Sequence, residues 1–151
     1  MLSLKLVNAG LLLCLLLLPS FLNAQSAAEE IEILLNTNTV TYAQAARFTL
    51  EASGVLIANP QEAFNAAINR GWLPENTTAG DYARLDNICL LIMSSFNMKG
   101  GIMYSIFKNP RYAYREFLYQ NIIQGRSDPM MIVSGKMLLF YINKLLAISE
   151  H

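Results

Sequence analysis

The chain has 151 residues, of which 54% are hydrophobic and 15% charged, with eleven basic and eleven acidic side chains, two cysteines and one histidine. That balance lacks the electrostatic footprint of a nucleic-acid binder. The Cys and His inventory is too small to assemble a zinc site, which takes several such ligands.

Lys5 supplies a short positive start, and Leu11–Leu18 forms an apolar run interrupted only by Cys14. Pro19 breaks the run, and "SFLNAQS" offers a cleavage point after Ala24. This is the layout of a secretory signal peptide. Leu22 is bulkier than the small residue usual three positions before a cut, which leaves the exact site open. An uncleaved anchor is the alternative, but the apolar core is short against the roughly 20 residues needed to span a bilayer. Lipidation is rejected because Leu13, not a small residue, precedes Cys14. The expectation is an exported, periplasmic or envelope-associated protein with residues 1–24 as signal peptide and no transmembrane span after cleavage.

Residues 25–151 then suffice for a single domain with a real core. They carry ten basic and eleven acidic side chains. The distribution is uneven: Glu29, Glu30 and Glu32 lie at the start, whereas Lys99, Lys108, Arg111, Arg115 and Arg126 face Glu116 alone between 99 and 126.

Three segments begin with a small or hydroxyl residue and continue as amphipathic helices: "TYAQAARFTLEASG" from Thr41, "ARLDNICLLIMSSF" from Ala83 and "SGKMLLFYINKLLA" from Ser134. In the first, Thr41 and Gln44 form a capping box. Ala45, Phe48, Ala52 and Val55 recur at helical intervals, and Gly54 is a stop signal. The second holds Cys89, expected as a buried thiol.

Each helix has an upstream partner. "QEAFNAAINRGWL" overlays "RYAYREFLYQNIIQG" with Ala63 on Ala113 and Gly71 on Asn121, and asparagine also tolerates a left-handed helix terminus. "AAEEIEILLNT" is a shorter candidate at 27–37. Pro60 and Pro110 stand where a helix tolerates proline, at its start. The class is all-α, with three helix-loop-helix units at about 27–58, 60–98 and 110–149. "GGIMYSIF" is the weakest point, being short and β-tolerant.

These residues resemble the S-layer homology repeat, in which a helix ends in a Gly-Ile-Ile-x-Gly type turn and Thr-Arg-Ala-Glu opens the next helix after a loop. "NIIQGRSDP" is similar to the turn and loop. "ARLD", Ala83 to Asp86, stands where Thr-Arg-Ala-Glu would be, "TYAQ" keeps the threonine, and "SGKM" keeps only the hydroxyl. The arrangement also looks like small exported spirochaete proteins that join such units to an aromatic "RYAYRE" segment. The resemblance implies a pseudo-threefold bundle of three helical hairpins attached to the cell envelope. It further implies that the motif arginine meets an anionic wall polysaccharide, a role that only Arg84 carries over.

Catalysis needs a constellation, and none is found. His151, the sole histidine, is the last residue, so a Ser or Cys nucleophile lacks a base. Asp81 and Asp86 are a carboxylate pair of the kind a glycoside hydrolase uses, yet both adjoin a helix start where acids favour the dipole. No glycine-rich phosphate loop is present. No enzyme activity, cofactor or metal is expected.

Tyr112, Arg115 and Tyr119 fall on one helix face. They form either a cationic aromatic platform for a sugar carboxylate or ordinary packing against neighbouring hairpins. Trp72 is expected to plug a hairpin core. Ile102, Met103, Ile106 and Phe107, with Met130 and Met131, are either lids over the bundle or a sticky interface. The functional expectation is a non-catalytic envelope module that binds a wall polymer, either peptidoglycan or anionic polysaccharide. The alternative is a protein-interaction subunit of an envelope complex. The candidate binding residues are Arg84, Arg115, Tyr112 and Tyr119.

Overall fold

The computed structural model describes residues 27–57 and 59–149; the expected signal peptide and His151 lie outside the described residues. The chain divides into two units, Met1–Leu35 and Asn36–His151. In the first, residues 27–35 form helix α1. The second contains α2 (Tyr42–Ala52), α3 (Pro60–Asn69), α4 (Leu85–Ser95), α5 (Ile102–Ile106), α6 (Pro110–Tyr119) and α7 (Gly135–Ser149). The fold is all-α: extended pairing among the described residues is limited to two isolated bridges, Thr41 with Tyr82 and Arg84 with Ile132.

The helix starts follow from their side chains. Thr41 Oγ1 accepts from the Gln44 amide while the Gln44 side chain accepts from the Thr41 amide, completing the expected box. Asn59 and Asn109 cap α3 and α6, with Pro60 and Pro110 at the first helical position. The second of the three anticipated helices begins one residue later than expected, with Arg84 rather than Ala83 at its cap and no side-chain bond there. Its opening amides find partners elsewhere: Leu85 donates to the Met131 carbonyl and Asp86 to that of Pro129, each at 2.9 Å. Free amides at a helix start must be satisfied by something, and here a neighbouring loop does it. Tyr42 and Ala43 donate in the same way to Asp81 and Ala79.

Two residues before the first residue of each of α2, α4 and α7, three residues close a ring of backbone hydrogen bonds. Val40 donates to Val133 (3.0 Å), Val133 to Ala83 (2.9 Å) and Ala83 to Val40 (2.8 Å). None of the three side chains has any solvent exposure. Polar main chain at such depth has to pair internally.

Around this ring the apolar residues assemble. Helix α4 is apolar on nearly every side and therefore buried: every residue from Leu85 to Met93 is inside. Burying each of Leu85, Ile88, Leu91 and Ile92 contributes about 1.5–3 kcal/mol before entropy is counted. The helix pairs in most extensive contact are α2 with α3 and α4 with α6. Each pair joins the second helix of one anticipated unit to the first helix of the next. Phe117 of α6 meets the Tyr141 ring of α7 edge-on at 6.0 Å.

Helices α2, α3, α4 and α6 share one ending. The C-terminal residues Gly54, Gly71, Asn97 and Asn121 take positive φ, and the next residue's amide reaches back to the last turn, as Trp72 does to Ala67 and Ile122 to Phe117. This is the Schellman arrangement. It places Gly71 and Asn121 in the same conformation, as their overlay suggests.

Two expectations are corrected. The connection at 97–110, read as a loop with "GGIMYSIF" its β-tolerant part, contains a short helix, α5. Trp72 does not plug a core: it is half-buried, with the Arg70 guanidinium 4.8 Å above its ring, and Leu73 fills the interior instead. An indole stacked under a guanidinium gains at the surface, and the smaller leucine suits the closed space.

Asn121 has a φ of 55°, so a residue with a Cβ but no local polar group is strained there. Asn121→Ala is expected to cost about 1 kcal/mol in urea unfolding, whereas Asn121→Gly should cost nothing or stabilise slightly. Equal effects of the two substitutions would contradict this ending.

Candidate functional site

A groove of about 430 Å³ opens beside the start of α4. Its walls come from the first turn of α2 (Tyr42), the loop before α4 (Pro74, Thr77, Asp81, Tyr82), the cap and first turn of α4 (Arg84, Asp86, Asn87) and Pro110 at the start of α6. The loop is held in position by the α2 amides that bond to Asp81 and Ala79. Thr77 Oγ1 donates to the Pro74 carbonyl at 2.7 Å, tightening the same loop.

Arg84 is the centre of the polar wall. One of its terminal nitrogens pairs with Asp86 Oδ2 at 2.7 Å. Its Nε is buried without a partner, while its side chain remains 38% exposed. The guanidinium is thus anchored by one arm and retains donors for a ligand. Arginine's planar fork suits that division of labour.

Asp86 has a partner on each oxygen. Its second oxygen, Oδ1, accepts from the Asn87 amide at 2.8 Å. Behind it, the buried Asn87 side chain donates to Tyr42 Oη at 2.6 Å, and the Arg84 amide donates to the same hydroxyl at 3.3 Å. Tyr42, Asp86 and Asn87 therefore form a satisfied polar back wall. Tyr82, also in the lining, is 58% exposed.

Of the four residues singled out in the sequence, Arg84 lines this groove. The other three lie on α6 outside its lining. Tyr112 is half-buried and stacks on Phe107 with ring centres 6.1 Å apart. Arg115 is exposed, and Tyr119 is 84% exposed. The packing role falls to Tyr114, whose hydroxyl bonds to the Ser127 carbonyl at 2.5 Å, and to Phe117. Tyr42, Asn87 and Tyr82 escaped sequence reasoning. The "TYAQ" start places Tyr42 beside a cap, but its meeting with Asn87 spans two helices and has no one-dimensional signature.

The groove contains both Asp81 and Asp86. Each Asp86 oxygen already has a partner, the Arg84 guanidinium or the Asn87 amide. Among the described residues no cluster of His, Cys, Asp and Glu could hold a metal ion, and no helix is long and apolar enough to cross a membrane. Cys89, on α4 itself, is buried. Burial, and secondarily the Asp86 charge, push its thiol well above the usual 9.0.

Two outcomes follow. Tyr42→Phe leaves the buried Asn87 amide and the Arg84 amide without their acceptor, and should cost about 1–3 kcal/mol in stability. A cost near zero would mean that water already serves those groups. The raised Cys89 thiol holds its proton in the folded chain, so its contribution is complete below pH 9.0 and is lost as pH climbs above it. The Tyr104 and Tyr141 hydroxyls, also raised by burial, act in the same direction above their usual 10.0. Urea midpoints should therefore fall on the alkaline side, with Cys89 unreactive to thiol reagents until unfolding. A rapid native reaction would contradict this.

Compared with family models, curated proteins and solved structures, the chain shows no match to any of them.

Proposed function

We propose that the chain is a non-catalytic module of the cell envelope that binds a wall polymer in the groove beside Arg84. The observation that carries this reading is the groove's make-up: an arginine anchored by one arm, a rigid polar back wall and an exposed tyrosine in the lining. Sugar rings offer apolar faces for Tyr82 and hydroxyls for the free guanidinium donors, so a glycan fits both features. The lining holds two carboxylates, Asp81 and Asp86, against one guanidinium. That balance favours an uncharged glycan backbone such as that of peptidoglycan over an anionic polysaccharide, because like charges oppose association.

The proposal includes three S-layer-homology-like units about a pseudo-threefold axis, exported by a cleaved signal peptide. Support for the triplication is the ring of Val40, Ala83 and Val133, which joins the chain at the same step before α2, α4 and α7.

A second reading, a protein-interaction subunit of an envelope complex, is favoured by the outer face of α6. Arg115 and Tyr119 are exposed there, and residues of these types dominate protein interfaces.

Co-sedimentation with purified peptidoglycan, and separately with an anionic wall polysaccharide, tests the glycan reading. Arg84→Ala and Tyr82→Ala should each weaken pelleting with peptidoglycan on the order of tenfold, with Arg115→Ala neutral. Absence of pelleting with either polymer discards the glycan reading. Loss confined to Arg115→Ala transfers recognition to α6. Release of reducing sugar by the wild type, abolished in Asp81→Asn, would contradict a non-catalytic role.

A further inference from the structure

Helix α5 is inside out. Ile102, Met103 and Ile106, with Phe107 after them, are 79%, 46%, 64% and 52% exposed, whereas Tyr104 is buried. Isolated apolar residues at a surface need no explanation, but four large ones within six positions form a patch. The segment is also held in this attitude. Tyr104 Oη lies 3.3 Å from Ser94 Oγ of α4, and the Ser105 hydroxyl donates to the Gly100 and Gly101 carbonyls. Any side chain at Gly100 would sit 2.6 Å from the Tyr104 ring, so the close approach that seats α5 requires glycine. Phe107 is propped from behind by the Tyr112 ring. The patch is a built feature, presented outward and fixed.

The charge around it is predominantly positive. Lys99, Lys108, Arg111 and Arg115 are all exposed, and none takes part in an ion pair among the described residues. Glu116, the only acid between 99 and 126, lies against Gly101. Apolar side chains that protrude beside unpaired cations are the two components of interfacial membrane binding: burial at the headgroup boundary and attraction to anionic lipid.

We propose that α5 and Phe107 form a peripheral docking site for an anionic lipid bilayer. Ile102, Met103, Ile106 and Phe107 enter the headgroup boundary, and Lys99, Lys108 and Arg111 engage lipid phosphates. No span is involved. The occupant is a bilayer rather than a protein groove because the cations complement a uniformly negative surface and the apolar side chains protrude. The site is independent of the groove at Arg84.

The test expresses the full chain, so that its N-terminus is processed as in the cell, and carries Phe107→Trp with Trp72→Phe, which leaves a single indole at the patch as a local reporter. Sucrose-loaded vesicles of phosphatidylcholine alone are compared with vesicles containing phosphatidylglycerol. The expected result is a blue shift of the reporter emission and pelleting only with the anionic vesicles, weakened by about 0.5 M salt. Lys108→Glu with Arg111→Glu should reduce binding on the order of tenfold or more, and Ile102→Asp with Ile106→Asp should remove the blue shift. Helical circular dichroism checks that each variant is folded. Three results would overturn the proposal: no shift on anionic vesicles, binding indifferent to lipid charge and to the charge reversal, or an oligomer in light scattering that Ile106→Asp disperses. The last would assign the patch to a second copy of the chain.

Discussion

Three backbone amides hold this molecule's second unit in its arrangement. Val40, Ala83 and Val133 lie far apart in sequence, yet each donates to one member of the ring and accepts from the other. Bringing such distant segments together carries a loop-closure cost. The cost is offset only if all three form together, because any one amide left alone would be an unsatisfied polar group in an apolar interior. The ring is therefore cooperative by construction. It also explains why the adjacent side chains are small or β-branched: residues of that size let three chains approach closely.

The candidate site is a consequence of the same closure. Once Ala83 is fixed, Arg84 and Leu85 must leave the ring at the start of α4, and their amides are taken by Tyr42 and by the loop before α7. The loop from Pro74 to Tyr82 is drawn against α2, which leaves the groove between that loop and the opening turn of α4. Asp86 then falls within reach of the Arg84 guanidinium and becomes its anchor. Backbone closure sets the position, and the side chains at 42, 84, 86 and 87 supply the chemistry.

The parts legible in the sequence were those written in local rules. The capping box at Thr41, the prolines opening α3 and α6, and the left-handed endings at Gly71 and Asn121 each depend on a few neighbouring residues. Helical class followed from periodicity for the same reason. Less legible was anything decided by partners distant in the chain. Trp72 had the size of a core plug, but Arg70 offered it a surface stack and Leu73 fitted the interior. For residues 102–107 the sequence is compatible with a lid or a surface, and the buried Tyr104 is what turns the other apolar side chains of α5 outward. Arg84 is legible because its motif is local, whereas Tyr42 and Asn87 meet only through the fold.

Amide hydrogen exchange at Val40, Ala83 and Val133 tests the ring most directly. The three should exchange at one common free energy, equal to that of global unfolding in urea, since opening any one of them breaks the closure. If one of these amides exchanges through a cheaper local opening while the other two stay protected, the segments are independently held and the ring is not what organises the fold.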